Sequence, residues 1–301
     1  MENAADGIKI YIPGENFYKK LTPSRMAYNF FWFLFIWIFS NKAGEFIFEK
    51  SSEHTRYIKK YAKSHKALEA MYCYGGLNLK NKNLREALFS FFWEESFINA
   101  HAARNRLKLA KKELKDAFLA VVKKKKTIKV LSLASGSARA VIETMAELKK
   151  DMGADVKIDA RFVDVSKRAL EYSRQLAEQF EVDKNCVWIQ SRANDFGNFV
   201  YGGWKPDIVE IVGLFDYFSD KDAVHIGRII YGELVSCGFF IFSNVNHNAE
   251  MEFIKHVIGW DMIYKTPYRI VHIAEQSGFD KNKIRLIYEP LEVHGLVVAR
   301  K

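Results

Sequence analysis

A chain of 301 residues with 49% hydrophobic and 15% aromatic side chains can bury the core of one large domain, or of a domain with an appendage. Its five prolines, with no low-complexity tract and no internal repeat, argue against extended disorder. The net charge of +10 invites a nucleic-acid or anionic-membrane reading. Much of it, however, sits at Lys108, Lys111, Lys112, Lys115 and lysines 123–126, a pattern that a solvated helix face and a helix C-terminus produce without any partner.

The opening stretch, MENAADGIKI, lacks the positive-then-apolar order of a secretory signal. NFFWFLFIWIF follows at Asn29–Phe39, uninterruptedly apolar from Phe30 to Phe39 and flanked by Arg25 and Lys42. A spanning helix needs about 20 apolar residues. The run is therefore a buried or substrate-lining element, or an aromatic segment resting in a membrane interface. Residues 1–126 read as almost entirely helical, with apolar groups at three- and four-residue spacing in SSEHTRYIKKYAKSHKALEAMY and NLREALFSFFWEESFINAHAARNRLKLAKKELKDAFLAVV. Leu84, Leu88, Phe91, Phe92, Leu107, Leu114, Phe118 and Val122 mark an inward stripe. Gly75-Gly76 separates the two patterns.

From Thr127 the pattern becomes alternating strand and helix. Strands are expected at 128–133, 156–163, CVWIQ, DIVEIV, GFFIFSNV, KIRLIYE and VHGLVVAR, with helices at 138–150, in SKRALEYSRQLAEQF and in DKDAVHIGRIIYGEL. Such alternation predicts an α/β fold, a wound and mainly parallel sheet with helices on both faces. The last two strands are too close for a helical crossover and should form an antiparallel hairpin.

The first strand of this region breaks into Ala134-Ser135-Gly136-Ser137-Ala138 just before a helix. Small side chains there let a ligand approach the backbone, Gly136 permits a conformation that a Cβ resists, and the helix N-terminus favours an anionic group. Asp164 ends the next strand, where a carboxylate can accept both ribose hydroxyls of an adenosine cofactor. Its alternative role is in the N-cap region of DVSKRAL. Asn194-Asp195 follows the third strand and can meet the adenine amino group. These elements together point to an adenosine-type cofactor. A GxGxxG fingerprint is absent, since the loop holds one glycine, which disfavours a dinucleotide.

On these residues the chain resembles the class I S-adenosylmethionine-dependent methyltransferases. VLSLASGSARAVIE looks like their first motif, FVDVSKRALEYSR their second and PDIVEIVGLFDYFSD their fourth. It departs from them at Ser132, often acidic, and Ala134, often glycine. SLASGSAR, GLFDYFSD and NVNHNAEMEFIKHVIGWDMIYKT resemble a subgroup that includes bacterial methyltransferases forming 3-hydroxy fatty acid methyl esters, whose first motif typically reads SLACGPARE. Here Ser135, Ser137 and Ala140 replace its Cys, Pro and Glu. The resemblance covers about residues 99–301, beginning at HAARNRL.

It implies a Rossmann-like methyltransferase sheet over 127–301 with an antiparallel last strand. A helical region, 1–126, would cover a small, hydrophobic or carboxylate-bearing acceptor. S-adenosyl-L-methionine is the implied cofactor, held by Ala134, Ser135, Gly136, Arg139, Asp164, Val165, Asn194, Asp195 and Gly213. Arg139 would clamp the methionine carboxylate; its alternative is a surface ion pair. The candidates beside the reacting centre are Asp216, to orient the acceptor or act as base, Tyr217 at the methyl region, and His247 as proton acceptor. The alternative for Asp216-Tyr217 is to shape a loop, and for His247 to be solvated. Trp260 and Tyr264 are expected to share one helix face.

Cys73, Cys186 and Cys237 have no metal spacing and read as buried thiols of a reducing compartment; the histidines form no HxxxH or HExxH. The expected location is cytoplasmic, with peripheral membrane contact through Phe30–Phe39 as an option. Two rivals remain. A nucleic-acid methyltransferase lacks support, because neither NPPY nor DPPY follows the fourth strand. A non-catalytic scaffold gains some weight from the substituted first motif.

Overall fold

The computed structural model describes residues 2–5, 8–14, 18, 53–73, 97–153 and 156–301. Among these residues nine strands form one sheet: β1 Glu2–Ala5, β2 Ile8–Tyr11, β3 Thr127–Leu133, β4 Lys157–Asp164, β5 Cys186–Gln190, β6 Ile208–Ile211, β7 Phe239–Val245, β8 Ile284–Tyr288 and β9 His294–Arg300. Their order is β1-β2-β8-β9-β7-β6-β3-β4-β5. The pairs from β5 through β7 are parallel, while β9 runs antiparallel to both β7 and β8. The expected α/β sheet with its reversed terminal hairpin is thus present. From β3 the chain winds outward to β4 and β5, then returns to β6 on the other side. That reversal opens a crevice at the carboxyl ends of β3 and β6.

Seven α-helices of eight or more residues lie among the described residues: α1 Glu53–Lys60, α2 His65–Tyr72, α3 Ile98–Val122, α4 Arg139–Met152, α5 Lys167–Gln179, α6 Asp220–Glu233 and α7 Pro267–Gln276. Their starts are written locally. Ser166 accepts from the Ala169 amide, Ser219 from that of Asp222 and Thr266 from that of Arg269, with Pro267 at the first helical turn. One sheet face packs Leu109, Leu114 and Phe118 of α3 with Val141, Ile142 and Met145 of α4. The other packs Phe215, Phe240 and Phe242 with Ile226 and Ile230 of α6 and Ile270 of α7. Each such side chain contributes about 1.5–3 kcal/mol by leaving water.

Four expectations need correction. Within residues 1–126 the segments 53–60, 65–72 and 98–122 are helical, but β1 and β2 are strands that extend the sheet beyond β8. The two-residue alternation Ile8-Lys9-Ile10-Tyr11 carries that signal, and Ile10 is buried while Tyr11 is exposed. Trp260 and Tyr264 share no helix face: a π turn at Ile254–Ile258 ends at Gly259 (φ 76°), and residues 259–266 have no helix. Cys73 and Cys237 are exposed and Cys186 half-buried, so none is a core thiol. In the α3 stripe Leu114 and Phe118 are fully buried, whereas Leu107 and Val122 are half-buried. Phe30–Phe39, Gly75-Gly76, Leu84, Leu88, Phe91 and Phe92 lie outside the described residues. Among the described residues no helix is long and apolar enough to cross a membrane.

Candidate active site

The loop between β3 and α4 turns through three left-handed residues, Ala134 (φ 49°), Gly136 (φ 53°) and Ala138 (φ 52°). Two of them are alanines, held there against their own preference. Part of what holds them is Asp164 at the end of β4. Its Oδ2 accepts from the Gly136 amide at 2.9 Å, and its Oδ1 from the Ser166 amide at 2.8 Å. Each oxygen keeps a lone pair for a further donor. No side chain caps the N-terminus of α4.

A cavity of about 400 Å³ opens beside this carboxylate, lined by Ala134, Asp164, Val165, Asn194, Leu214, Phe218 and His225 among others. Val165 is 63% exposed at its rim, an apolar group available to one face of a flat ring. Asn194 borders the cavity as expected. Asp195 does not: it is exposed and precedes the short turn Phe196–Asn198, where its carbonyl accepts from the Asn198 amide.

A smaller cavity of about 60 Å³ continues along the loop, lined by Tyr72, Ser135, Gly136, Ser137, Arg139 and Glu210 among others. The Ser135 hydroxyl is buried there without a hydrogen-bond partner among the described residues. Arg139 borders this space, but its donors are engaged. Nε donates to both Glu69 oxygens at 3.0 Å, and Nη1 to Glu143 at 2.8 Å. Tyr172 donates to Glu69 as well, at 2.8 Å. Burial alone would push the Glu69 carboxyl up, yet its hydrogen bonds from Arg139, Ser137 and Tyr172 hold it below the usual range. The ion-pair reading of Arg139 is the one seen, with the difference that its partner Glu69 is buried on α2. The contact pins α2 across the loop.

A third cavity lies between α1, α2, the N-terminal half of α3 and the segment Met251–Ile258. Ile58, Leu68, Met71, Phe97, Ile254, Ile258, Trp260 and Met262 form apolar walls, and Asn99, Arg106, Asp216 and His294 supply polar groups. Glu250 ties two walls together: it accepts from the Ile98 and Asn99 amides at 2.9 Å each, capping α3 from a distance. Burial pushes the Glu250 carboxyl up to about 7.

Gly213 (φ 103°) joins this cavity to the end of β6, and a Cβ there would sit 3.6 Å from the Arg106 guanidinium. Asp216 follows on a short turn. Its Oδ1 accepts from the Asn244 side chain at 2.7 Å and the Val245 amide at 2.8 Å, and Oδ2 lies 3.7 Å from Arg106 Nη1. Burial raises its pKa, with Arg106 pulling the other way. The Tyr217 hydroxyl accepts from Trp260 Nε1 at 2.6 Å, and burial raises its pKa as well, so it stays a neutral donor. Fully buried Lys265 donates to the Phe215 carbonyl at 2.7 Å and the Phe218 carbonyl at 2.9 Å, bracing both ends of this turn.

His247 is a correction. It is exposed, lies near the Tyr264 ring and borders none of the three cavities. The imidazole that reaches the apolar cavity is His294 on β9, whose pKa burial and then Arg106 depress well below the ordinary value. Arg106, His294, Asn99, Glu210 and Lys265 were missed from sequence. For Arg106 the available signal was the polar run HAARNRL in a helix whose apolar stripe already faces inward; the other four had none.

The three cavities form a series along the carboxyl edge of the sheet. The first offers a carboxylate and apolar faces, and the second a hydroxyl unpartnered among the described residues, so the residues present fit an adenosyl group. A family described as "Putative methyltransferase" matches residues 92–299. The chain belongs to that family. The family match begins just before α3 and takes in every strand from β3 to β9.

No curated protein matches the sequence. A solved structure from Bordetella parapertussis, described as a possible exported protein, is similar with a TM-score of 0.69 at 14% identity, over 93% of this chain and 99% of that one. A magnesium protoporphyrin IX methyltransferase from Synechocystis, solved with bound SAM, is similar with a TM-score of 0.53 at 11% identity, over 83% and 97% of the two chains. An O-methyltransferase family protein from Burkholderia thailandensis follows with a TM-score of 0.52 at 11% identity, over 92% and 71%. At these identities the likeness is one of fold: the methyltransferase family to which the chain belongs is built on a Rossmann-like sheet.

Proposed function

We propose that this chain transfers a methyl group from S-adenosylmethionine to an apolar acceptor that bears a carboxylate, within the chemistry of the 3-hydroxy fatty acid methyl ester-forming subgroup. The observation that carries the acceptor class is Arg106. Its guanidinium is buried at a cavity whose walls are largely apolar, and its Nε has no hydrogen-bond partner among the described residues. A buried cation with a spare donor suits a carboxylate, which offers paired acceptors.

The bound cofactor would supply an electrophilic methyl on a sulfonium. The protein's part is positioning and dryness. Asp164 would hold the ribose hydroxyls, Val165 and Phe218 the flat ring, and the turn after Gly213 would bring the sulfonium to the mouth of the apolar cavity. A carboxylate acceptor is ionised near neutral pH and needs no base. That agrees with a site where Tyr217 stays protonated and His294 neutral. Arg106 would orient the acceptor carboxylate, while Asp216 fixes Arg106 in turn. The segment 1–126 would cover the acceptor, through α1 and α2.

One observation favours the non-catalytic reading: Glu69 occupies donors of Arg139 that a cofactor carboxylate would use. Both readings meet one experiment. The protein is incubated with methyl-labelled S-adenosylmethionine and, separately, 3-hydroxy fatty acids, plain fatty acids and fatty alcohols of matched length. Label is expected in the methyl esters of the acids and not in the alcohols. Equal labelling of the alcohols would overturn the carboxylate assignment. If no acceptor is labelled and the cofactor gives no calorimetric signal at millimolar concentration, the scaffold reading replaces the enzymatic one.

A further inference from the structure

Ser132 stands on β3 where the resembled methyltransferases often carry an acid, and the structure places a carboxylate beside it. Glu210 on β6 is its register partner across the parallel pair. The Ser132 hydroxyl donates to Glu210 Oε2 at 2.6 Å. Glu210 is 6% exposed and borders the small cavity that runs along the loop, opposite Gly136 and Ser137. Arg106 acts on it through space while its ion pair is with Asp216. Arg139 and Tyr72 border the same cavity, and Arg139 is neutralised by Glu69 and Glu143. The cavity thus presents a buried carboxylate with one hydroxyl partner and no ion pair of its own among the described residues.

We infer that Glu210 receives the ammonium group of the cofactor's methionine end, supplying from β6 the charge that β3 lacks. This rests on the reading of S-adenosylmethionine as cofactor. The neighbouring adenosine-sized cavity shares Ala134 with this one, so a nucleoside seated by Asp164 would direct its amino-acid tail toward Glu210. An arriving ammonium stabilises the ionised carboxyl. Burial holds that carboxyl up at about 7, against the Ser132 hydroxyl, the Val212 amide and Arg106. Binding near neutral pH therefore drives a proton from Glu210 into solvent.

The test uses the full chain and S-adenosylhomocysteine, which keeps the ammonium and cannot react. Calorimetry at pH 7 in buffers of different ionisation enthalpy is expected to show release of about half a proton, as a group titrating near the working pH requires. In Glu210→Gln that release disappears and affinity for S-adenosylhomocysteine falls about 10- to 100-fold, the scale of one charge-assisted hydrogen bond. Affinity for 5′-methylthioadenosine, the same nucleoside without the amino acid, stays within twofold. Proton release that persists unchanged in Glu210→Gln, or equal loss for both ligands in that variant, overturns the assignment. Should the parent bind neither ligand, the cofactor reading itself fails, and this inference with it.

Discussion

The Arg106 guanidinium and the Asp216 carboxylate form an ion pair at 3.7 Å, with each side chain 4% exposed. It joins helix α3 to the turn after β6 at the polar end of the apolar cavity. A pair so buried is weak evidence for stability, but breaking it from one side strands a charge. Arg106→Met should therefore cost about 3–5 kcal/mol, and Arg106→Met with Asp216→Asn should recover much of the loss. Urea denaturation of the two singles and the double measures the coupling. Additive effects would show that the two groups do not interact. Either single variant is also expected to lose acceptor methylation while still binding S-adenosylhomocysteine.

Asp164 acts on both protein and cofactor. It anchors the Gly136 and Ser166 amides, and in the proposed complex it also takes the ribose hydroxyls. Asp164→Ala should lower affinity for S-adenosylhomocysteine by more than tenfold, since hydrogen bonds to a charged group contribute about 1.5–3 kcal/mol. Calorimetry decides it; undiminished binding would end the adenosine assignment.

Ala134 sits where a Cβ is unwelcome. At φ 49° it bears left-handed strain of about 1–2 kcal/mol, partly offset because glycine loses more entropy on folding. Ala134→Gly should raise stability by about 0.5 kcal/mol. Gly136→Ala, at φ 53° with the His65 Cβ 3.6 Å from the new methyl, should lower it by about 1 kcal/mol. Both are read from denaturant midpoints at unchanged m-value.

Lys265 braces the Phe215–Phe218 turn from beneath. Lys265→Met keeps the aliphatic stem and leaves the Phe215 and Phe218 carbonyls unpaired, at about 1–3 kcal/mol each. A fall in kcat larger than the loss of affinity for S-adenosylhomocysteine is expected, because the turn carries Asp216 and Tyr217 and, of the nucleoside contacts, only Phe218. Parallel loss of cofactor affinity would place Lys265 in the general scaffold instead.

Stability should also depend on pH through Glu210. Its carboxyl ionises near 4.5 in isolation and at about 7 in the folded protein. Between those values the folded state holds the extra proton, so the contribution is full below pH 4.5 and is lost as pH rises through 7. Glu210→Gln removes that dependence. Relative to the parent it should be close to neutral at pH 5 and more stable at pH 8, by about 2 kcal/mol. Thermal or urea denaturation at the two pH values checks the sign; a variant less stable than the parent at pH 8 would contradict it.

The sheet from β3 to β9 was readable because its signals are local. Apolar runs of strand length, the N-cap region of DVSKRAL and a small-residue turn before α4 each declare themselves within a few residues. Asp164 and Gly136 were readable for the same reason: both sit at the ends of strands that the pattern locates. Period-two alternation at Ile8–Tyr11 was just as local, but it was submerged in a region dominated by helical spacing. His247 and Asp195 show the opposite error. Each follows a strand end in the expected position, and each points to solvent, which strand position alone does not reveal.

The sequence by itself determined that this is a wound α/β sheet with a crevice where β3 and β4 end, and placed the chain's resemblance among methyltransferases. Tertiary structure alone decided the polar groups of the crevice. Glu69 reaches Arg139 from another helix, Arg106 reaches Asp216 across the sheet edge, and Glu210 stands beside Ser132 only because β6 returns alongside β3. Backbone periodicity is encoded by neighbours a few residues apart. A buried charge is instead tolerated only where distant segments bring it a partner, and that meeting is written in no single stretch of chain.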